Sequence, residues 1–297
     1  MSKKIVITGA SGFLGRHLLE RIKDDKQYMT YALSSRSDEL REIIGGERVE
    51  YIHKDNVSMP EMMNGAIVIN CAYPRNSTGT SIADGLKYIQ KIFEKSVEYG
   101  AAAIINISSQ SVYSQQRTEA ATEETQICLE TPYAVGKYAV ELMLESICKG
   151  SSTVYTNLRM ASLIGPGFDQ RIVNRFVKQA LETGKLTVKK NQQKFGFCDI
   201  KDAVRSITAM LNTNENMWKP VYNLGRNGAY TLVEIAETVR KVIKDREGEY
   251  IAIDIVKGNE TGNSELDCSL YIYDFSTKSR CSLEESIADI YQNEVEL

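Results

Sequence analysis

The chain has 297 residues, 42% apolar and 25% charged, the ordinary balance of a globular protein large enough for a main domain and a smaller lobe. Its formal net charge is -3 with no basic block, which argues against a nucleic-acid surface. No apolar stretch reaches membrane-spanning length and the opening residues run straight into a strand pattern, so neither a membrane anchor nor a signal peptide is expected.

In chain order, Ile5-Val6-Ile7 reads as a short buried strand. A turn with glycines at 9, 12 and 15 follows, and then a helical pattern with Leu14, Leu18, Leu19 and Ile22 on one face. Strand, glycine turn and helix make the phosphate-binding corner of a dinucleotide fold. Gly9 turns the chain, Gly12 lets the backbone approach a pyrophosphate, and Gly15 lets the helix pack on the strand. The helix start, with its free N–H groups and positive dipole end, holds the anion; Ser11, Phe13 and Leu14 share this corner. Residues 28–33 read as the second strand. Where an NAD site usually carries an acidic residue, this chain has Ser34-Ser35-Arg36. A cation with small hydroxyl neighbours suits a 2′-phosphate, which favours NADP over NAD; the plainer reading of Arg36 is a solvated loop residue.

Residues 49–52 form a third strand, and Asp55, beside Asn56, is placed to accept from an adenine amino group or to cap a turn. Residues 66–72 are apolar throughout, as a central parallel strand should be, and end in the small Cys71 and Ala72, which leave room for a cofactor next to Tyr73. Residues 73–81, including Arg75, read as a loop over the pocket. A helix near 82–99 stops at Gly100. Residues 101–107 give a fifth strand, ending at Ile107 and running into Ser108 and Ser109. Pro132 opens an amphipathic helix to about Cys148, with Tyr133 and Lys137 one turn apart on one face. The sixth strand, 153–159, is broken at Ile164-Gly165-Pro166-Gly167. Beyond it a helix is expected at 171–183, a strand at 195–200, a helix from Asp202 to Leu211 and a strand at 221–225. Capping boxes at Thr231/Glu234 and Ser282/Glu285 each open a helix, with a strand at 250–256 between them. The alternation predicts an α/β Rossmann-type doubly wound parallel sheet with a smaller C-terminal α/β substrate lobe. The expected division is 1–164 for the dinucleotide-binding domain, with 197–225 returning to it, and 165–297 for the lobe.

Six cysteines without a C-x-x-C read as reduced thiols of a cytoplasmic protein. Two histidines, His17 and His53, are too few for a histidine-rich metal site, and no metal is expected.

Tyr-x-x-x-Lys at 133–137, 24 positions after Ser109 and downstream of a glycine corner, resembles the extended, sugar-nucleotide-modifying branch of the short-chain dehydrogenase/reductases, the NAD-dependent epimerase/dehydratase family. The resemblance runs through Thr-Gly-Ala-Ser-Gly-Phe-Leu-Gly at 8–15, Ser-Ser-Gln-Ser-Val-Tyr at 108–113, Leu-Arg at 158–159, Gly-Pro-Gly at 165–167, Phe-Cys-Asp-Ile-Lys-Asp at 197–202 and Tyr-Asn-Leu-Gly at 222–225. It implies that Tyr133 is the general acid/base, that Lys137 lowers its pKa and holds the nicotinamide ribose, and that Ser109 orients the substrate oxygen. It also implies Arg75, Gln110, Ser111, Ser162 and Phe195 on the substrate side, and a homodimer paired through the helices near 82–99 and 133–148.

Departures from the family pattern narrow the reaction. Gln110 and Ser111 stand where dehydratases of the branch carry Asp-Glu, and Ser111 and Phe168 stand where its epimerase-reductases carry Cys and His. Ser162 and Phe195 replace an Asn and an Arg that usually contact the substrate diphosphate. The leading expectation is a 4-keto reductase or 4-epimerase of a nucleotide sugar. The alternatives are an NADPH-dependent reductase of a non-nucleotide ketone and a non-catalytic NAD(P)-sensing protein on the same fold.

Overall fold

The computed structural model describes residues 2–57, 59–74 and 78–296. Apolar β-branched runs alternate with amphipathic helices through the first half: β1 (Lys3–Thr8), α1 (Phe13–Ile22), β2 (Tyr28–Ser34), α2 (Ser37–Ile44), β3 (Val49–His53), α3 (Pro60–Met63), β4 (Ile67–Asn70), α4 (Gly79–Glu98), β5 (Ala103–Ser109), α5 (Pro132–Cys148) and β6 (Val154–Met160). The second half adds β7 (Ser162–Ile164), α6 (Ile172–Thr183), β8 (Lys185–Lys190), β9 (Phe197–Asp199), α7 (Ile200–Leu211), β10 (Val221–Leu224), α8 (Leu232–Glu247), β11 (Ala252–Lys257), α9 (Ser269–Phe275) and α10 (Leu283–Val295).

The main sheet has seven strands in the order β10-β6-β5-β4-β1-β2-β3, and the ladders from β3 to β5 are all parallel. The order reverses between β1 and β4, so the carboxyl ends of these two strands flank the crevice where such sheets bind ligands. The fold is thus α/β and Rossmann-like, as the strand–helix alternation predicts.

The chain divides into two compact units. The first holds Met1–Val112, Leu129–Arg159 and Val204–Tyr222; the second holds Tyr113–Cys128, Met160–Ala203 and Asn223–Leu297. In the first, Val6, Val68 and Ile104 of the strands pack with Ile89 and Phe93 of α4 and Val140 and Leu144 of α5. In the second, α6, α8 and α10 bring Val177, Val239 and Ile290 together over Leu186 and Val188 of β8, which pairs in parallel with β11.

Several boundaries differ from those expected. The apolar run 66–72 is strand only over Ile67–Asn70, because Ala66 is tied into a turn by its N–H to Met63 O (2.9 Å). The helix expected near 82 begins at Gly79, where the Thr78 side chain caps it by accepting from Ser81 N–H. The sixth strand ends at Met160, ahead of the Gly-Pro turn; Ser162–Ile164 then pairs in parallel with Phe197–Asp199 as a separate small sheet. Asp202 does not open α7, which starts at Ile200; its buried carboxylate accepts from the Ser279 hydroxyl and from the N–H groups of Arg280 and Cys281 (3.0 Å each).

Candidate active site

The glycine corner sits where β1 meets α1. Gly9 has φ 64°, and a Cβ there would lie 2.7 Å from the Ala72 nitrogen just past β4; a Cβ on Gly15 would lie 2.5 Å from Gly9 O. Only glycine lets the turn and the helix come this close. Gly12 caps α1 without a side-chain hydrogen bond, and no acidic residue occupies the first turn. The free amide end and the dipole therefore present positive charge to an anion, which fits a pyrophosphate. Gly9, Ser11 and Gly12 open onto a cavity of about 460 Å³.

At one end the cavity is lined by Ser34, Ser35, Arg36 and Lys54. The Ser34 hydroxyl donates to Ser11 Oγ (2.9 Å) and accepts from Arg36 N–H (2.9 Å), which locks the end of β2 to the glycine turn. Arg36 pairs with Glu39 at 3.2 Å on the surface. Among the described lining residues two cations, Arg36 and Lys54, stand against one carboxylate, Asp84. Tyr88 also lines the cavity, with the Lys54 ammonium 5.6 Å from its ring centroid. Its buried hydroxyl has no hydrogen-bond partner among the described residues, and burial first, then the Asp55 charge, pushes its phenol above the ordinary range. A buried, unsatisfied hydroxyl on a cavity wall fits a polar ligand. Asp55 itself is exposed, 3.4 Å from His53 and 3.7 Å from Lys54, and neither it nor Asn56 lines the cavity. Phe13 packs edge-on to His17, and Leu14 and Gly15 are buried within α1. Lys54 and Tyr88 have no spacing signal in the sequence; only the fold brings them to the cavity that Arg36 lines.

At the other end lie Cys71, Ala72 and Tyr73. Burial pushes the Cys71 thiol up to about 12, against the opposing pull of the Lys137 charge. Tyr73 is likewise raised to about 12, by burial first and by Tyr133 second. Its ring stands edge-on to Tyr133, with centroids 5.2 Å apart. Lys137 is buried and donates from Nζ to the Ile107 carbonyl at 2.7 Å; Nζ lies 5.9 Å from the Tyr133 ring centroid. At the end of β5, Ser109 Oγ accepts from both the N–H (3.2 Å) and the hydroxyl (3.0 Å) of Ser111. Gln110 is buried in the 3-10 turn between them.

Beneath this cluster lie buried polar side chains bonded to one another. Glu141, one turn after Lys137, accepts from the Ser108 hydroxyl and from Arg159 of β6, at 2.7 Å from Nη2. Both ionic side chains are less than a tenth exposed. The Thr8 hydroxyl donates to Asn70 (2.8 Å), the Asn70 amide to Asn106 (3.0 Å) and the Asn106 amide to Asn157 (2.8 Å), a buried chain across β1, β4, β5 and β6. Helical spacing puts Glu141 one turn after Lys137, but nothing in the sequence marks its buried pairing with Arg159.

Ser162 and Phe195 belong to the second unit. Ser162 stands opposite Phe197 in the β7–β9 ladder. Phe195 stacks on Phe197, which stacks on Tyr230, at 6.5 Å between centroids in each case, and its backbone bonds Tyr230 in both directions. Arg75 lies outside the described residues. Among the described residues no helix is long and apolar enough to cross a membrane, and no group of His, Cys, Asp and Glu is disposed to hold a metal.

The family model described as the NAD dependent epimerase/dehydratase family matches residues 5–225, a span from β1 through the residue after β10. The chain belongs to that family. Among relatives of the epimerase/dehydratase chain, UDP-glucuronic acid decarboxylase 6 of Arabidopsis thaliana is 26% identical over 264 residues, covering 81% of this chain and 74% of the relative. A protein of Bacillus subtilis named as an uncharacterized UDP-glucose epimerase, YtcB, is 26% identical over 98% of this chain and all of its own length. The solved UDP-glucuronic acid 4-epimerase of Bacillus cereus, in complex with UDP-glucuronic acid and NAD, superposes with a TM-score of 0.82 at 21% identity, covering 98% of this chain and 99% of that one. The Bacillus cereus UDP-N-acetylglucosamine 4-epimerase gives 0.81 at 22% identity, over 100% and 98% of the two chains. At these identities the two structures attest the fold.

Proposed function

We propose that this family member is an NAD(P)-dependent 4-epimerase or 4-keto reductase of a nucleotide sugar. The observation that carries the reading is Tyr73: it lines the cavity that begins at the glycine corner and touches both Tyr133 and Lys137, so the anion corner and the proton-transfer pair adjoin. The names of the relatives, UDP-sugar decarboxylases and epimerases, support the nucleotide-sugar substrate.

A dinucleotide held by its pyrophosphate at Gly9, Ser11 and Gly12 would supply the hydride transfer through its nicotinamide. The protein supplies orientation and proton transfer. Tyr133 takes the proton of the sugar hydroxyl as the carbonyl forms and gives it back on reduction. Lys137, fixed by the Ile107 carbonyl, places its positive charge beside that phenol and has further N–H groups for the ribose hydroxyls. Ser109 Oγ already accepts two hydrogen bonds from Ser111, so its own proton is directed outward to a substrate oxygen. Gly9, Ser11 and Gly12 hold the pyrophosphate. Ser34, Ser35, Arg36 and Lys54 give two cations and two hydroxyls to a 2′-phosphate, which supports NADP; the Bacillus cereus epimerase holds NAD.

Gln110, Ser111 and Arg75 complete the reading on the substrate side. It also includes a homodimer paired through α4 and α5, supported by Val135 and Leu142, which stand half-exposed on α5. A cytoplasmic setting is supported by buried cysteines such as Cys148 and Cys268.

Mass spectrometry of the nucleotide that co-purifies with the protein, followed by incubation with UDP-glucose, UDP-glucuronic acid and UDP-N-acetylglucosamine, tests the reading. Release of NADP or NAD and conversion of one sugar at C4 are expected. Reduction of simple ketones with no turnover of any nucleotide sugar would overturn it.

A further inference from the structure

Tyr73 makes more contacts with the Tyr133–Lys137 pair than a pocket wall requires. It stands just past the end of β4, and its ring meets Tyr133 edge-on at 79°. The Lys137 ammonium lies 4.3 Å from the Tyr73 centroid, closer than to Tyr133 itself. The Tyr73 hydroxyl donates to the Tyr133 backbone carbonyl at 3.3 Å. A Cβ built on Gly136 would lie 2.1 Å from that hydroxyl oxygen and 3.3 Å from the ring carbon bearing it. Glycine is a poor residue for a helix interior. Here its missing side chain is the space that the Tyr73 hydroxyl fills.

We propose that Tyr73 is the positioning residue of the proton-transfer pair: its ring face anchors the Lys137 ammonium, its T-shaped contact restrains the Tyr133 ring, and Gly136 is the notch that admits it. An ammonium over a ring face is held electrostatically without consuming an N–H, so Lys137 keeps its donors for the Ile107 carbonyl and for ligand. An edge-on aromatic contact has a preferred geometry and restricts rotation of the Tyr133 ring. Among the described residues Tyr73 and Cys71, both just past β4, are titratable groups that interact with the pair, and burial raises both. Tyr73 therefore leaves Lys137 as the charge beside the Tyr133 phenol.

This inference rests on the acid/base reading of Tyr133, and the test separates the two. Turnover of the UDP-sugar panel (UDP-glucose, UDP-glucuronic acid, UDP-N-acetylglucosamine) is measured for Tyr73→Phe, Tyr73→Leu, Gly136→Ala, the double variant Gly136→Ala/Tyr73→Phe, and Tyr133→Phe. Cofactor affinity is read in parallel by NADPH and NADH fluorescence titration. Tyr73→Phe keeps the ring and is expected within about threefold of the parent kcat. Tyr73→Leu removes both ring contacts, and Gly136→Ala displaces the hydroxyl; each is expected to lower kcat by about tenfold or more, with cofactor affinity changed less than about threefold. Removing the hydroxyl makes room for the new Cβ, so the double variant is expected to recover to the level of Tyr73→Phe. A double variant as impaired as Gly136→Ala, or a fully active Tyr73→Leu, overturns the positioning role while a dead Tyr133→Phe leaves the function standing. A fully active Tyr133→Phe overturns the acid/base reading instead, and this inference with it.

Discussion

Two serines at the end of β5 differ in what their protons do. Ser111 donates its hydroxyl proton and its N–H to Ser109, and the proposed reaction uses the proton of Ser109 toward substrate. Ser111→Ala should lower kcat by about tenfold through loss of that orientation, and Ser109→Ala by about a hundredfold, in steady-state assays on the same nucleotide sugar. Cys71 gives a second expectation. Burial raises its thiol from 9.0 to about 12, so the folded protein keeps it protonated at pH 8 and thiolate forms only as the pH climbs toward 12. Iodoacetamide at pH 8 should label the exposed Cys128 and spare Cys71 by mass-spectrometric mapping, with Cys71 becoming reactive only at strongly alkaline pH or on unfolding. At this scale the sequence was most readable where chemistry is local: three glycines across one turn, Tyr133 and Lys137 one helical turn apart. Lys54, Tyr88 and the Tyr73–Gly136 fit join residues separated by tens of positions, and no periodicity carries such pairings.

The α5 helix holds Tyr133 and Lys137 in place through Glu141. A buried carboxylate bonded to Arg159 and Ser108 cannot lose one partner cheaply, since the remaining charge is left in a poorly polarisable interior. Arg159→Met should destabilise the protein by about 3–5 kcal/mol in urea unfolding, and adding Glu141→Leu should recover much of that loss; equal loss in single and double variants would contradict this account. Elements were legible when they carried a stop or start signal. The capping boxes at Thr231/Glu234 and Ser282/Glu285 form as their spacing predicts, and Pro132 opens α5 behind the Thr131 cap. The short elements α2 and β8 carry no such signal. In α2 the apolar face amounts to Leu40 and Ile44; in β8 only Leu186 and Val188 are buried among exposed lysines and a threonine. Those patterns are too brief to compete with a loop reading, and it is packing on neighbours that makes them regular.

For the whole molecule, the order β3-β2-β1-β4-β5-β6 is what strand–helix alternation and right-handed crossovers dictate. The interleaving of the two units was less readable, because Tyr113–Cys128 joins the second unit from within the first half of the chain with no change in composition to mark it. Val135 and Leu142 remain half-exposed on α5, a helix whose other face is core. Light scattering at micromolar concentration should show a dimer, and Leu142→Glu should yield monomer; a monomeric parent would contradict the pairing of α4 and α5. The central claim is that Tyr133 moves the proton of a hydride transfer that a dinucleotide, held by its pyrophosphate at the glycine corner, would supply. The most direct measurement is the kcat of Tyr133→Phe on the converted UDP-sugar, with cofactor binding followed in the same samples. The account predicts a loss of about a hundredfold or more with the cofactor still bound; turnover equal to the parent would contradict it.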